Sequence, residues 1–416
     1  MRIFKFGGAS VKDANGIKNV VNVLKTVGYE NTLLVVSAMG KTTNGMELII
    51  KNYFNNKADL QSSIYEMVKY HNSILLELFE NDQHPVFKKV KDLFDEVQGF
   101  FERNKSPKYN FVYDQVVGYG EFISTTIISA YLNEIGLKNE WLDVRKFIKT
   151  DDTYRDANVN WEATQSRISN DVNRKALNIT QGFLGSDENN FTTSLGREGS
   201  DYTAAIFAYC LNAESVTIWK DVPGVLNADP RFFENAQLLN QISYREAIEL
   251  AFYGASVIHP KTLQPLQRKE IPLYVKSFIN PLANGTMVSK GKALDPNLPC
   301  FIVKNEQVLI KLSSLDFSFI VEDSISEIFK LLHDHSMKVD LIQNSAISFS
   351  VCVDNKFNNL DAILNTLKSK FNVNHYENVS LYTIRHFNDE AIEFFQNGKE
   401  VLLEQRTKET LQLVVK

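Results

Sequence analysis

The chain begins with a short apolar run, Arg2-Ile3-Phe4, that leads into Lys5 and the pair Gly7-Gly8. A stretch with helical spacing of apolar residues follows near 13–28, and then the run Thr32-Leu-Leu-Val-Val-Ser37. Strand, helix and strand in that order predict a βαβ unit and a parallel sheet. Residues 45–105 differ: SIYEMVKYHNSILLELF and FKKVKDLFDEVQGFF repeat apolar residues at helical intervals, which predicts an inserted pair of helices ended by Ser106-Pro107. Alternation then resumes with a helix over 119–134, strands near 139–144 and 177–183, a helix over 201–211, a strand over 215–220, a helix over 244–253 and a strand over 272–277.

Turn-forming residues cluster at Asn284-Gly285 and Asp295-Pro296, so residues 1–285 read as one α/β domain and 286–300 as a linker. Beyond it the rhythm changes to strand 307–313, helix 324–334, strands 338–342 and 346–353, helix 357–369 and strand 371–377. That βαββαβ order is the ferredoxin-like arrangement, assigned here to 301–378. A partial second copy occupies 379–416, with strands near 380–386, 400–406 and 410–415 and a helix over 388–396. Its final helix and strand are expected to be absent, and interleaving with the first copy is left open.

Composition changes this picture little. At 416 residues, 44% hydrophobic and 23% charged, the chain can bury a large core and has room for two or three domains. A net charge of −5 gives no electrostatic reason to expect nucleic acid or an anionic membrane as partner. There is no long uninterrupted apolar segment and no signal-type N-terminus. Cys210, Cys300 and Cys352 are scattered, which fits reduced thiols in a cytoplasmic protein.

Four stretches carry candidate chemistry. In KFGGAS, 5–10, a glycine pair after a strand exposes N–H groups to an anion, and Lys5 adds a charge; a tight turn beside a solvated lysine is an equal alternative. SAMGKTTNG, 37–45, resembles a P-loop but has Val35 where its first glycine belongs, so a plain polar turn is the stronger reading of that stretch by itself. In TTSLGREGSDYTAA, 192–205, glycines flank Arg197-Glu198, and Ser200 or Asp201 opens a helix whose N-terminus attracts anions; simple capping by Asp201 competes. IWKDVPGVLNADPR, 218–231, sets Asp221 and Arg231 in turns after a strand, where α/β sheets bind ligands. Glu121, in GYGE, suits either an ammonium ligand or the first turn of a helix, whereas His71 and His259 read as core and turn histidines.

In this order, KFGGAS, VVSAMGKTTN, GREGSDYTAA, WKDVPGVLNADPR and GASVIHPKTLQPL resemble the aspartate kinases of the amino-acid-kinase family, from residue 1 to the end of the chain. The resemblance implies an eight-stranded, mainly parallel sheet between helices, followed by tandem ACT domains. It implies phosphoryl transfer from ATP to the β-carboxylate of L-aspartate, the first step of lysine, threonine and methionine biosynthesis. Lys5 then matches the lysine that bridges the β- and γ-phosphates and Asp201 the catalytic aspartate. Ser37, Thr43, Glu121, Arg197 and Ser200 match substrate positions, Arg197 facing the α-carboxylate and Glu121 the ammonium group. Gly7, Gly8, Lys220, Asp221, Leu226, Arg231 and Ser256 match the nucleotide side, with Mg²⁺ held mainly by the phosphates. Leu226 stands where the family usually has an aromatic residue and Ser256 where it has a lysine; Lys220 is the candidate to replace that cation.

By the same resemblance, the ACT region is expected to pair as a homodimer or dimer of dimers and to bind lysine, with threonine second. Asp340 would receive the effector's ammonium group, with Asn344 and Ser345 hydrogen-bonding it. The competing readings are a same-fold kinase acting on glutamate, N-acetylglutamate, UMP or carbamate, and a catalytically weak regulatory subunit. With no homoserine dehydrogenase portion after residue 416, a monofunctional kinase is expected.

Overall fold

The computed structural model describes residues 1–255, 258–316, 318–396 and 398–416, and they form two compact units. The first unit holds Met1–Val225, Leu238–Ile248 and the segment that runs to Asp295. Its nine-stranded sheet has the order Leu294–Asp295, Gln241–Ser243, Thr286–Ser289, Leu273–Ser277, Ser215–Lys220, Arg2–Phe6, Thr32–Val36, Leu177–Gln181, Asn139–Leu142. The last six of these run parallel to one another, and Leu273–Ser277 is antiparallel to Thr286–Ser289. The expected mainly parallel sheet is therefore present, extended by the two-residue edge strand Leu294–Asp295.

Local sequence explains most of these elements. Thr32–Val36 and Leu177–Gln181 are buried at every position, as strands covered on both faces must be. Helix Ala14–Val27 starts where the Asp13 carboxylate accepts the Gly16 N–H at 2.7 Å, and it buries Ile17, Val20, Val21 and Leu24 on one stripe. Within 45–105 the expected pair is Leu60–Leu78 and Pro85–Arg103, the latter burying Val86, Val90, Phe94, Val97 and Phe101. A third helix, Thr42–Asn55, precedes the pair and overlaps that region.

The linker assignment for 286–300 needs correction. Thr286–Ser289 pairs with Leu273–Ser277, and Leu294–Asp295 pairs with Gln241–Ser243, so 286–295 completes the first sheet. Asn284-Gly285 ends the loop 278–285 that joins two antiparallel strands of that sheet, and such a loop has the same composition as a linker.

The second unit contains Leu226–Gln237, a segment starting at Glu249, and Pro296–Lys416. Its six strands are all antiparallel, in the order Lys338–Asn344, Ser348–Asp354, Cys300–Ser313, Asn372–Arg385, Thr410–Val415, Val401–Arg406. The two central strands are 14 residues each and serve both copies. Residues 307–313 and 372–376 pair within the first copy, while Cys300–Lys304 pairs with Leu381–Arg385 in the second. The final strand expected to be absent from the second copy is thus supplied by residues ahead of the first. The two copies are interleaved, and the boundary at 301 cuts through a shared strand. Phe233 packs against Phe301 and Phe395 on the side of helix Asp389–Gln396, adding a ring to that apolar layer.

Candidate functional site

Four neighbouring parallel strands end at one edge of the first sheet, and each delivers a residue there. Lys5 lies one residue before the end of its strand, paired across to Val35 and Ile218. Ser37 and Phe183 follow the ends of theirs, and Lys220 closes the fourth. Helix Gly199–Leu211 points its N-terminus at the same edge. Together they line a cavity of about 490 Å³, which also holds Thr43, Tyr113, Glu121, Arg155, Arg197, Glu198, Ser200 and Asp201.

The close meeting of strand ends and helix depends on two glycines. A Cβ at Gly8 would lie 2.8 Å from the carbonyl oxygens of both Ala38 and Gly40, so the turns at 5–10 and 37–45 can touch backbone to backbone. Gly40 N–H donates to Gly8 O at 3.0 Å across that contact. A Cβ at Gly182 would come within 2.8 Å of Ser200 Cα, and this lets the helix N-terminus meet the end of Leu177–Gln181. Glu198 precedes the helix in the left-handed region, φ 55°, and turns the glycine-rich loop into it.

The centre of the cavity is an ion pair, Lys5 Nζ to Asp201 Oδ1 at 2.6 Å, with side-chain exposures of 12% and 5%. Asp201 is in the first turn of its helix, where the N-terminal dipole favours negative charge. Its carboxylate fixes the Lys5 ammonium at the strand end, and a side chain at Gly7 would begin 3.3 Å from that ammonium. Ser37 sits beside this pair in the wall, its carbonyl accepting from Ser124 Oγ at 2.8 Å.

Glu121 is the buried acid of the site. Oε1 accepts weakly from the Ala38 N–H at 3.4 Å, and Oε2 is buried without a hydrogen-bond partner. Burial pushes its carboxyl up to about 8, against the opposing pull of the Ala38 N–H. An unsatisfied buried oxygen of this kind is costly unless a ligand completes it, and an ammonium group is the natural complement. Arg197 is exposed at the rim, where its guanidinium can fork onto a carboxylate. The site therefore offers cations for phosphate, a guanidinium for carboxylate and a buried acid for ammonium.

Of the residues picked out from sequence, Lys5, Ser37, Thr43, Glu121, Arg197, Ser200, Asp201 and Lys220 come together in this wall. Gly7 and Gly8 support it, and Asp221 is an exposed turn residue just beyond the strand. Leu226 and Arg231 belong to the second unit; Arg231 forms a local turn pair with Asp229 at 2.5 Å. Ser256 lies outside the described residues. Tyr113, Arg155 and Phe183 were not foreseen. Phe183 carries a faint signal, a residue after Gly182 at a parallel strand end, but Tyr113 and Arg155 arrive through tertiary closure alone. Among the described residues no group of three or more His, Cys, Asp or Glu side chains is arranged to hold a metal, and no helix is long and apolar enough to cross a membrane.

In the second unit, Asp340 does not stand open to a ligand. Its side chain is 5% exposed and pairs with Lys304 at 2.8 Å and Lys338 at 3.4 Å, so the ammonium position assigned to an effector is filled by the chain itself. Asn344 is exposed at the end of its strand, and Ser345 Oγ hydrogen-bonds Ser348 Oγ at 2.6 Å.

The family model described as the amino acid kinase family matches residues 1–277. The chain is 31% identical over 363 residues to lysine-sensitive aspartokinase 3 of Escherichia coli, covering 85% of this chain and 78% of that protein. It is 31% identical to the chloroplastic aspartokinase 1 of Arabidopsis thaliana, covering 85% of this chain and 63% of that longer protein. The structure of E. coli aspartokinase III in complex with lysine and aspartate superposes with a TM-score of 0.84 at 27% identity, over 100% of this chain and 96% of that one. The complex of the same enzyme with aspartate and ADP gives 0.81 at 26% identity, with the same coverage. With its family model spanning most of the chain, its aspartokinase relatives and the Lys5–Asp201 site at the strand ends, the chain belongs to the amino acid kinase family and, within it, to the aspartokinases.

Proposed function

We propose that this chain transfers the γ-phosphate of ATP, supplied as its Mg²⁺ complex, to the β-carboxylate of L-aspartate, giving 4-phospho-L-aspartate and ADP. The observation that carries this reading is the buried Lys5–Asp201 pair at the meeting point of four strand ends and a helix N-terminus. Phosphoryl transfer needs positioning and charge stabilisation more than covalent help from the protein. The aspartate β-carboxylate is already ionised at neutral pH, so no general base is required to create the nucleophile. Lys5 is placed to neutralise charge on the moving phosphoryl group, and Asp201 keeps its ammonium aimed into the cavity. Glu121 takes the substrate ammonium on Oε2, Arg197 the α-carboxylate, and Ser37, Thr43 and Ser200 offer hydroxyls at the acceptor end. Gly7 and Gly8 leave backbone open to the phosphates, and Lys220 adds a cation in place of the lysine that Ser256 replaces. Asp221, Leu226 and Arg231 are carried on the nucleotide side by the family resemblance alone.

Regulation belongs to the second unit. E. coli aspartokinase III was captured with lysine and with aspartate, and the interleaved ferredoxin-like modules here have open edges at Lys338–Asn344 and Val401–Arg406 on which a second copy can add. Lysine is the first candidate effector and threonine the second, with Asn344 and Ser345 as polar contacts.

The test is an acyl-phosphate assay with aspartate and MgATP, trapping product with hydroxylamine. Wild type should form the hydroxamate, and Lys5→Ala should lower kcat by at least about 10²-fold, the scale expected for losing one preorganised charge on the transition state. Near-wild-type turnover in that variant would remove Lys5 from the mechanism.

A further inference from the structure

Arg155 is held in a conformation that arginine rarely adopts. Its φ is +74°, in the left-handed region where glycine is at ease and a side chain is not. Strain of this kind persists where the surroundings fix it, and it concentrates at functional sites. Here the fixing group is Asp114, a fully buried carboxylate. Its Oδ2 accepts the Arg155 N–H and the Ser194 N–H, each at 2.9 Å, and its Oδ1 accepts from Ser194 Oγ at 2.6 Å. A further backbone bond, Ala157 N–H to Ser194 O at 2.9 Å, fastens the same two segments.

Ser194 lies three residues before Arg197. Asp114 therefore staples the loop that carries Arg155 to the loop that carries Arg197, and both arginines line the same cavity. The Arg155 guanidinium lies over the Tyr113 ring, 4.3 Å from its centroid, and among the described residues it forms no ion pair with a carboxylate. Tyr113 is itself anchored through a 2.8 Å hydrogen bond from its hydroxyl to Glu47. A planar cation stacked on a fixed aromatic ring presents its N–H fork outward in one orientation. The site thus holds one more guanidinium than a single exposed arginine would supply, on a backbone that glycine would satisfy more cheaply.

We propose that Arg155 is a specificity-determining residue that closes, with Arg197, on the α-carboxylate of a dicarboxylic amino acid. The proposal rests on the reading of the cavity as an aspartate-phosphorylating site. Two guanidinium groups on one carboxylate leave the second carboxylate free to face Lys5. They also reject acceptors in which the α-carboxylate is amidated, because the two cations would then lack an anion.

The experiment compares wild type, Arg155→Gly and Arg155→Lys with L-aspartate and with its α-amide as acceptors, at saturating MgATP with hydroxylamine trapping. Arg155→Gly suits the backbone angle, so its melting temperature should equal or exceed wild type. With aspartate it should lower kcat/KM about 10- to 100-fold, chiefly through KM, as expected for loss of a charge-assisted contact. Arg155→Lys should recover part of that loss. With the α-amide, wild type and Arg155→Gly should agree within about twofold, because the partner of Arg155 is missing from the substrate. Unchanged kcat/KM on aspartate in Arg155→Gly overturns the proposal. So does an equal loss on both acceptors, which makes Arg155 a prop for the loop. Wild type that forms no hydroxamate from aspartate overturns the kinase reading, and this proposal with it.

Discussion

Seating an amino acid on Glu121 must move a proton. In the ligand-free protein its carboxyl is buried, Oε2 has no partner, and burial raises it from an ordinary 4.5 to about 8. With its carboxyl raised to about 8, Glu121 is mostly protonated at pH 6.5 and mostly ionised at pH 9. An ammonium group on Oε2 replaces the lost solvation and returns the carboxyl to its anionic form. Aspartate binding at pH 6.5 should therefore expel nearly one proton per site, and binding at pH 9 almost none. Titration calorimetry in buffers of different ionisation enthalpy counts that proton from the slope of the observed heat. Glu121→Gln should abolish the release and weaken aspartate binding about 10- to 100-fold, the value of a hydrogen bond to a charged group. The same group shapes stability. Because its folded value is raised, its contribution is fully present below about pH 4.5 and is lost as pH rises through about 8. At about 1.36 kcal/mol per pH unit, that span costs the ligand-free protein up to about 5 kcal/mol. Glu121→Gln should flatten this decline, and saturating aspartate should offset it. A release below about 0.3 of a proton per site at pH 6.5, or the same release in Glu121→Gln, would refute Glu121 as the ammonium site.

Gly182→Ala should shift the N-terminus of helix Gly199–Leu211, because the added Cβ meets Ser200; urea unfolding should show a loss of about 1–3 kcal/mol, with kcat falling alongside. Lys304→Met should leave Asp340 buried with only the more distant, exposed Lys338, and a loss of about 3 kcal/mol is expected by the same measurement, recovered in part when Asp340→Leu is added. Kinase activity titrated with millimolar lysine and with threonine should fall with one of them, and Asn344→Ala should raise the concentration required; insensitivity to both amino acids, in activity and in melting temperature, would remove the effector assignment.

What the sequence disclosed depended on how far each signal extends along the chain. Thr32–Val36 and the stripe Val86, Val90, Phe94, Val97 and Phe101 were legible because burial imposes a period that the residues must keep. Gln241–Ser243 and Leu294–Asp295 were not, since strands of two or three residues carry no period. Helix Thr42–Asn55 was hidden by Thr42, Thr43, Asn44 and Gly45 in its first turns, which read as a polar turn. The interleaving of the second unit was invisible in detail because strand 300–313 pairs with its partner across about seventy residues, with register shifts near Gln307. At the site, residues within local motifs were found: Lys5 beside its glycines, Asp201 at its helix start. Arg155 was not, because its placement follows from Asp114 and Ser194, which are distant in sequence. Asp340 reads as a ligand group because sequence shows an acid at a strand but not Lys304, which reaches it from the long strand Cys300–Ser313 two positions across the sheet.

The most direct test of the central claim follows one oxygen atom. Aspartate labelled with ¹⁸O in its β-carboxylate is incubated with the protein, MgATP and hydroxylamine, and the phosphate that hydroxylamine displaces is examined by ³¹P NMR. If the β-carboxylate attacks the γ-phosphate, one labelled oxygen becomes the bridge of the acyl phosphate and leaves with the phosphorus, so the released phosphate carries a single ¹⁸O. Phosphate without label, or ADP formation that does not depend on aspartate, would contradict the account.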